Sequence, residues 1–355
     1  MRRSTSDRPF ASPGDRAKCR DTIRGGSKSF FTASLVLPKR VREPAYALYA
    51  FCRTADDAAD TGADRVAALD RLADRLDAVY RERPLNHPVD RAFADVVRDY
   101  AIPRALPEGL LEGLRWDQTE RVYERLDDVL DYAARVAAAV GAMMTLLMGV
   151  RDKTVLARAC DLGAAMQLTN IARDVGEDAR EGRLYLPRDW MRAAGLEPEA
   201  FLAEPVFSDA IGEVVKRLLD EATRLYGRAR PGITQLPYDC RLGIHAAALL
   251  YQEIGAEIAR NGYDSVTTRA FTGPARKLAL LARARSEASR RIEAEPKPAL
   301  PANQFLVDAV EAAEQAGATA PDGLFPALEE RVSWVLDLMV DLDAREKARR
   351  WPVSV

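Results

Sequence analysis

Histidine is almost missing from this chain: His87 and His245 are the only two in 355 residues. That scarcity excludes a histidine-rich metal centre, and a Ser-His-Asp triad would have to use one of these two. His87 sits in a loop-like Asn-His-Pro, and His245 lies on an apolar helix, where a core role is the simpler reading. Cysteine is also sparse. Cys19, Cys52, Cys160 and Cys240 are scattered with no C-x-x-C pair, which suits reduced thiols of a cytosolic protein and excludes a disulfide framework or zinc site. Net charge is only −2, so no global basic field points to nucleic acid. Long hydrophobic runs are absent too. The longest apolar stretch, Val136 to Val150, is broken by Gly141 and Gly149 and falls short of the roughly 20 residues a membrane span needs, so it reads as a buried core helix. Arg2 and Arg3 are followed by no apolar segment, so no signal peptide is expected.

Strand-type alternation is scarce as well, and what fills the chain is helical period. Apolar residues make up 48% of the sequence, enough for a sizeable core. Helices are expected at about 15–36, 39–61, 64–82, 88–99, 107–121, 127–149, 152–179, 207–231, 239–261 and 271–292, with breaks at Pro38, Gly62, Pro84 to Pro88, Pro103 to Pro107 and Leu236-Pro237. The expected organisation is a disordered segment over 1–17, one helical domain over 18–292, a proline-rich linker over 293–320 and a helical extension over 321–355. In that extension Leu328, Val332, Val335, Met339 and Leu342 form an apolar stripe expected to pack back on the body.

Two helical segments carry oxygen-bearing side chains amid apolar neighbours. In the first, Tyr49, Arg53, Asp56 and Asp60 are spaced four, three and four apart and share a face, with Asp57 beside them. In the second, Gln167, Asn170, Asp174 and Asp178 share a face, with Arg173 adjacent. Like charges at this spacing repel, and more so when desolvated, so a divalent cation between the faces explains them best. Hard oxygen ligation points to Mg²⁺, with Mn²⁺ the alternative, and Mg²⁺ in turn prefers phosphate oxygens. Spacing alone is a weak signal. Asp127-Asp128-Val-Leu-Asp131 is also a D-D-x-x-D, but it opens a helix, where the macrodipole favours acids. Asp337 and Asp341 flank the final stripe as a solvated face would. Asp56 to Asp60, by contrast, lie late in an apolar helix, at the end where the dipole disfavours carboxylates. Gly25-Gly26-Ser27-Lys28-Ser29-Phe30 offers a lysine and hydroxyls to phosphate, although its spacing is not a Walker A loop. No G-x-G-x-x-G follows a strand, so no nicotinamide cofactor is expected.

Three blocks carry a family resemblance: Ser27-Lys-Ser-Phe-Phe31, Tyr46 through Asp60, and Gln167 through Asp178 continuing to Gly182-Arg-Leu-Tyr-Leu-Pro187. Weaker matches are Val136 to Gly149 and Ala246 to Tyr263. Over roughly residues 18–290 the chain resembles the squalene/phytoene synthase family, and within it the bacterial phytoene synthases. The resemblance implies an all-α isoprenoid-synthase fold around a central cavity. It also implies head-to-head condensation of two geranylgeranyl diphosphates through a cyclopropylcarbinyl diphosphate, with release of two pyrophosphates and no NADPH. Carried over, Asp56 and Asp60, supported by Asp57, hold Mg²⁺ on one wall; Asn170, Asp174 and Asp178 do so on the other. Ser27, Lys28, Ser29, Tyr49, Arg53, Gln167, Arg173 and Tyr251 contact diphosphate or the reacting carbons. One departure stands out: in the run Tyr132 to Gly141, Ala134 and Ala138 replace the family's usual second tyrosine and glycine. The sister reaction on farnesyl diphosphate, giving squalene, hydroxysqualene or dehydrosqualene, is the alternative, and a non-catalytic scaffold is disfavoured because both motifs are intact. Localisation is expected to be cytoplasmic with peripheral contact at the inner membrane, since the product is very apolar. Oligomeric state is not legible.

Overall fold

The structure, a computed structural model, describes residues 8–26, 31, 34–60, 65–119, 121–290, 292 and 297–318; for Asp60 only the backbone is described. Among these residues every regular element is helical, as the scarcity of alternation implies. In chain order the helices are α1 (Pro13–Gly26), α2 (Lys39–Asp60), α3 (Arg65–Tyr80), α4 (Pro88–Asp99) and α5 (Ala105–Trp116). Then come α6 (Leu126–Leu147), α7 (Lys153–Arg180), α8 (Arg188–Ala193), α9 (Pro198–Ala203) and α10 (Asp209–Ile233). Last are α11 (Tyr238–Arg260), α12 (Pro274–Ala288) and α13 (Gln304–Gln315). The two six-residue helices α8 and α9 were not expected, because a single turn and a half shows no periodicity.

The N-terminal stretch differs from its expectation of disorder. Pro13 opens α1 at the first helical position. Ser12 and Asp15 cap it reciprocally, Asp15 N–H donating to Ser12 Oγ (3.2 Å) and Ser12 Oγ donating to the Asp15 carboxylate (2.9 Å). That carboxylate also receives Arg91 (2.7 Å), and the Phe10 and Ala11 amides donate to Asp95 (2.8 and 3.1 Å). Capping and α4 therefore hold residues 8–17 in place; residues 1–7 lie outside the description. The expected linker also holds structure. Arg158 and Arg228 donate to the Lys297 and Pro298 carbonyls, and α13 buries Leu306, Val307 and Val310. The prolines at 296, 298 and 301 concealed that short stripe. The C-terminal extension 321–355 lies outside the described residues.

Helix α7 is central. Asp152 caps it by accepting from the Thr154 and Val155 amides (2.9 and 3.0 Å). It packs against α6, α10 and α11, while α2 packs against α1, α3, α4 and α5. The core accordingly divides in two. One apolar cluster gathers around α2 to α5 and the other around α7 and α10, with Val136 and Leu162 touching both. Helix α2 and the N-terminal part of α7 lie in the first cluster, while the C-terminal part of α7, which carries Asn170 to Asp178, packs in the second. Helix α6 is long and apolar enough to cross a membrane by composition, yet most of it is buried between α5 and α7, as a core helix. It contains a π-helical stretch at Ala134–Ala138, the place of the two alanine departures. There Gly163 of α7 comes so close that a Cβ on it would meet Ala138 Cα at 2.7 Å.

Candidate active site at the seam between the acidic helices

On α2, Tyr49 is half-buried and faces the last residue of α1, its hydroxyl filling the space a Cβ on Gly26 would need. Burial pushes the Tyr49 phenol upward, with Asp56 and Asp57 adding to the effect and Arg53 opposing it. Arg53 pairs with Asp57 at 2.7 Å across one helical turn, and both are exposed. Asp56 is half-buried on the same side as Tyr49. Ser27, Lys28 and Ser29 follow Gly26 directly but lie outside the described residues, as does the side chain of Asp60.

On α7, the half-exposed positions run in one stripe: Leu162, Met166, Gln167, Asn170, Asp174 and Asp178. The stripe is apolar at its N-terminal end and oxygen-rich at its C-terminal end. Asp174 accepts two bonds from Arg173 (Nε at 2.8 Å) and one from Arg269 (2.8 Å), and Arg269 also reaches Glu177 at 3.3 Å. Asn170 Oδ1 is buried and accepts no hydrogen bond from the described residues. Asp178 is pushed up to about 7, first by burial and then by the charge of Asp174.

Tyr251 of α11 links the walls. Burial raises its phenol, and the groups that act on it next are Arg173, Tyr49 and Asp174, drawn from both acidic helices. Tyr49, Asp56, Asn170, Arg173, Asp174 and Tyr251 therefore share one site. Gln167 stands a turn below Asn170, its Oε1 3.5 Å from the Asn170 amide nitrogen. Asp57 sits toward the outer edge.

Sequence reasoning missed Arg269. It stands in the turn 264–270 after α11, in a stretch with no periodicity, and no spacing connects it to Asp174. The enabling residue lies within the second acidic block. Gly176 donates its amide to Ser265 O (3.0 Å), and the bare α-carbon lets the Val266 backbone rest on α7. Arg180 holds the same turn by donating to Val266 O at 2.6 Å.

These residues fit a divalent cation. The orphaned Asn170 oxygen, the Asp178 carboxyl held near 7 and the closely spaced Asp174 are what a hard cation would satisfy. Among the described residues no three acidic, histidine or cysteine groups converge on one point as a full protein cage would.

A profile of the squalene/phytoene synthase family matches residues 23–283. A phytoene synthase of Rhodobacter capsulatus is 53% identical over 83% of this chain and 89% of its own length. One from Cereibacter sphaeroides is 57% identical over 74% of this chain and 77% of its own. Among solved structures, a dehydrosqualene synthase in complex with a ligand superposes with a TM-score of 0.71 at 33% identity, covering 77% of this chain and 96% of that one. A squalene synthase from Alicyclobacillus acidocaldarius gives 0.66 at 27% identity, covering 70% and 95%.

Proposed function

Because the chain belongs to the squalene/phytoene synthase family, we propose that the seam between α2 and α7 is where its prenyl diphosphates are bound and ionised. The chain is an enzyme with phytoene synthase function, a prenyltransferase of carotenoid biosynthesis. Two geranylgeranyl diphosphates join head to head through prephytoene diphosphate, and two pyrophosphates leave. What supports this site is the α7 stripe, where the buried Asn170 oxygen and the Asp174 carboxylate, held by Arg173 and Arg269, face the same way.

Asp56 and Asp60 on one wall, supported by Asp57, and Asn170, Asp174 and Asp178 on the other are the residues that would hold Mg²⁺. Bound there, Mg²⁺ neutralises the leaving diphosphate. Arg173 and Arg269 hold the Asp174 carboxylate in a fixed place and present guanidinium groups suited to bidentate phosphate contact. Arg53 does the same from the α2 side, paired with Asp57. Ser27, Lys28 and Ser29, which follow Gly26 in the chain, complete the diphosphate ligands, with Gln167 contributing from α7. The ring faces of Tyr49 and Tyr251 stabilise the allylic cation. The apolar end of the α7 stripe, Leu162 and Met166, takes the hydrocarbon and keeps water from that cation. The product is insoluble in water, so contact with a lipid surface during release is part of the same proposal, and cosedimentation with liposomes tests it.

Purified protein incubated with geranylgeranyl diphosphate and Mg²⁺, then extracted and mass-analysed, tests the reaction. A forty-carbon hydrocarbon made without NADPH is the expected product. A thirty-carbon product from farnesyl diphosphate alone would move the enzyme to the squalene-type branch.

A further inference from the structure

We propose that Asp117 and Gln118, in the turn after α5, form a brace that sets the spacing of the two acidic walls, with Asp117 acting as a positioning residue for the metal ligands. The two side chains grip opposite walls. Gln118 Nε2 donates to the carbonyl of Ala59 (3.0 Å), which lies between Asp56 and Asp60 at the C-terminal end of α2. That end has no intrahelical partner for its carbonyls, so the amide both satisfies an orphan acceptor and fixes the helix terminus. One residue earlier, Asp117 Oδ1 accepts from the Tyr185 hydroxyl (2.8 Å) and Oδ2 from the Tyr132 hydroxyl (3.0 Å).

Tyr185 belongs to the turn that leaves α7 just beyond Asp178. Gly182, at a φ of 77°, ends that helix, Arg183 N–H closes onto Asp178 O (2.8 Å), and the chain doubles back toward Asp117. Burial and the charge of Asp117 raise the Tyr185 phenol, and the charge of Asp178 adds to this. Tyr132 anchors the same carboxylate to α6. The rings of Tyr132 and Tyr185 stack at 4.9 Å between centroids, and Tyr123 packs on both at 5.5 Å. Beyond the brace, Arg188 and Asp189 amides donate to Tyr123 and Glu124 carbonyls (both 3.0 Å), tying residues 121–125 to the start of α8. A carboxylate that accepts one phenol on each oxygen, from buried Tyr132 and half-buried Tyr185, makes two charge-assisted bonds that fix its place. Helices α2 and α7 share an apolar cluster only through the N-terminal part of α7 (Val155, Leu156, Ala157 and Cys160), so that packing leaves the spacing of the acidic C-terminal halves to other contacts. A two-residue turn with one side chain on each wall supplies them.

This inference rests on the reading that the two walls hold divalent cations, and the experiment separates the two. Full-length wild type, Asp117→Ala, Asp117→Asn and Gln118→Ala are titrated by calorimetry with Mg²⁺ in the presence of inorganic pyrophosphate, with circular dichroism to confirm the fold. Asp117→Ala and Gln118→Ala are each expected to bind Mg²⁺–pyrophosphate about tenfold more weakly, the equivalent of about one hydrogen bond. Asp117→Asn, which can accept from one phenol and donate to the other, is expected to stay near wild type. Turnover of the two weakened variants is expected to recover as Mg²⁺ is raised, which a general loss of structure would not allow. Folded Asp117→Ala and Gln118→Ala proteins with wild-type affinity would overturn the brace. Should Asp117→Ala fail to fold, Gln118→Ala decides alone by the same criterion. Absence of binding by the wild type would overturn the metal reading itself, and the brace with it.

Discussion

Gly176 lies directly against the backbone of Val266: a Cβ on it would stand 2.6 Å from Val266 Cα, closer than any real contact. The neighbour is main chain on a turn pinned by Arg180 and by the Gly176 amide, so it cannot swing aside. This approach is what carries Arg269 to the Asp174 carboxylate. The glycine between two of the proposed metal ligands is thus explained by an element some ninety residues later in the chain.

Gly176→Ala is expected to destabilise the protein by about 1–3 kcal/mol, the usual cost of forcing an atom into a close-packed contact. It should also lower turnover, because the displaced turn takes Arg269 with it. Thermal denaturation and steady-state rates on the purified variant check both. A stable variant with full activity would mean that the turn is free to move.

Arg269→Ala removes one of the two guanidinium groups on Asp174 while leaving the packing of residue 176 untouched. Arg269 is more than half exposed, so little stability should be lost. The expected effect is on catalysis: kcat/KM falls about tenfold to a hundredfold, as loss of a hydrogen bond to a charged group implies. Arg269→Lys should recover only part of this, since a lysine cannot make the bidentate contact. Rates at several substrate concentrations measure it.

The sequence made the two walls legible because helical period puts Asp56 with Tyr49, and Asp174 with Asn170, whatever the rest of the chain does. Tyr251 came only through resemblance, since the residues a turn away on α11, Ala247, Ala248, Ile254 and Gly255, give it no polar face. Arg269 and Asp117 were not legible at all. Each acts on a residue far away in sequence, Asp174 or Tyr185, and tertiary contacts of that kind leave no spacing to read. The same holds for α13, whose stripe Leu306, Val307 and Val310 is too short to outweigh the prolines before it. The two D-D-x-x-D lookalikes show the converse. Asp128 caps α6, its carboxylate accepting the Arg125 amide at 2.8 Å, as the helix-start reading requires, while Asp337 and Asp341 lie outside the described residues.

That contrast gives a paired test. Asp56→Asn or Asp174→Asn is expected to cut turnover by about a thousandfold or more, since several kcal/mol of charge stabilisation are lost at the leaving group. Helical content should be unchanged in both. Asp127, exposed at the start of α6, should tolerate Asn with no loss of turnover. Asp128→Asn should cost stability of about 1 kcal/mol or less through the cap, and leave the rate alone. Circular dichroism and product assays on the four variants decide it. Wild-type rates in Asp56→Asn or Asp174→Asn would remove the two-wall site.

The last prediction concerns His245, on the helix that carries Tyr251. It is 1% exposed, its Nε2 has no hydrogen-bond partner among the described residues, and its Nδ1 lies 3.7 Å from Glu287. Burial lowers its affinity for a proton, and Arg230 and Arg241 lower it further, while Glu287 only partly opposes them. The unfolded chain takes that proton at an ordinary histidine value of about 6.5. As pH falls below this, the unfolded state binds more protons than the folded one, so stability declines with acidification. Replacing His245 by Gln should flatten the fall in urea midpoint between about pH 7 and pH 5.5, relative to wild type. Equal slopes in the two proteins would show instead that folding leaves the proton affinity of His245 unchanged, and a steeper fall in the variant would show that it is charged in the fold and paired with Glu287.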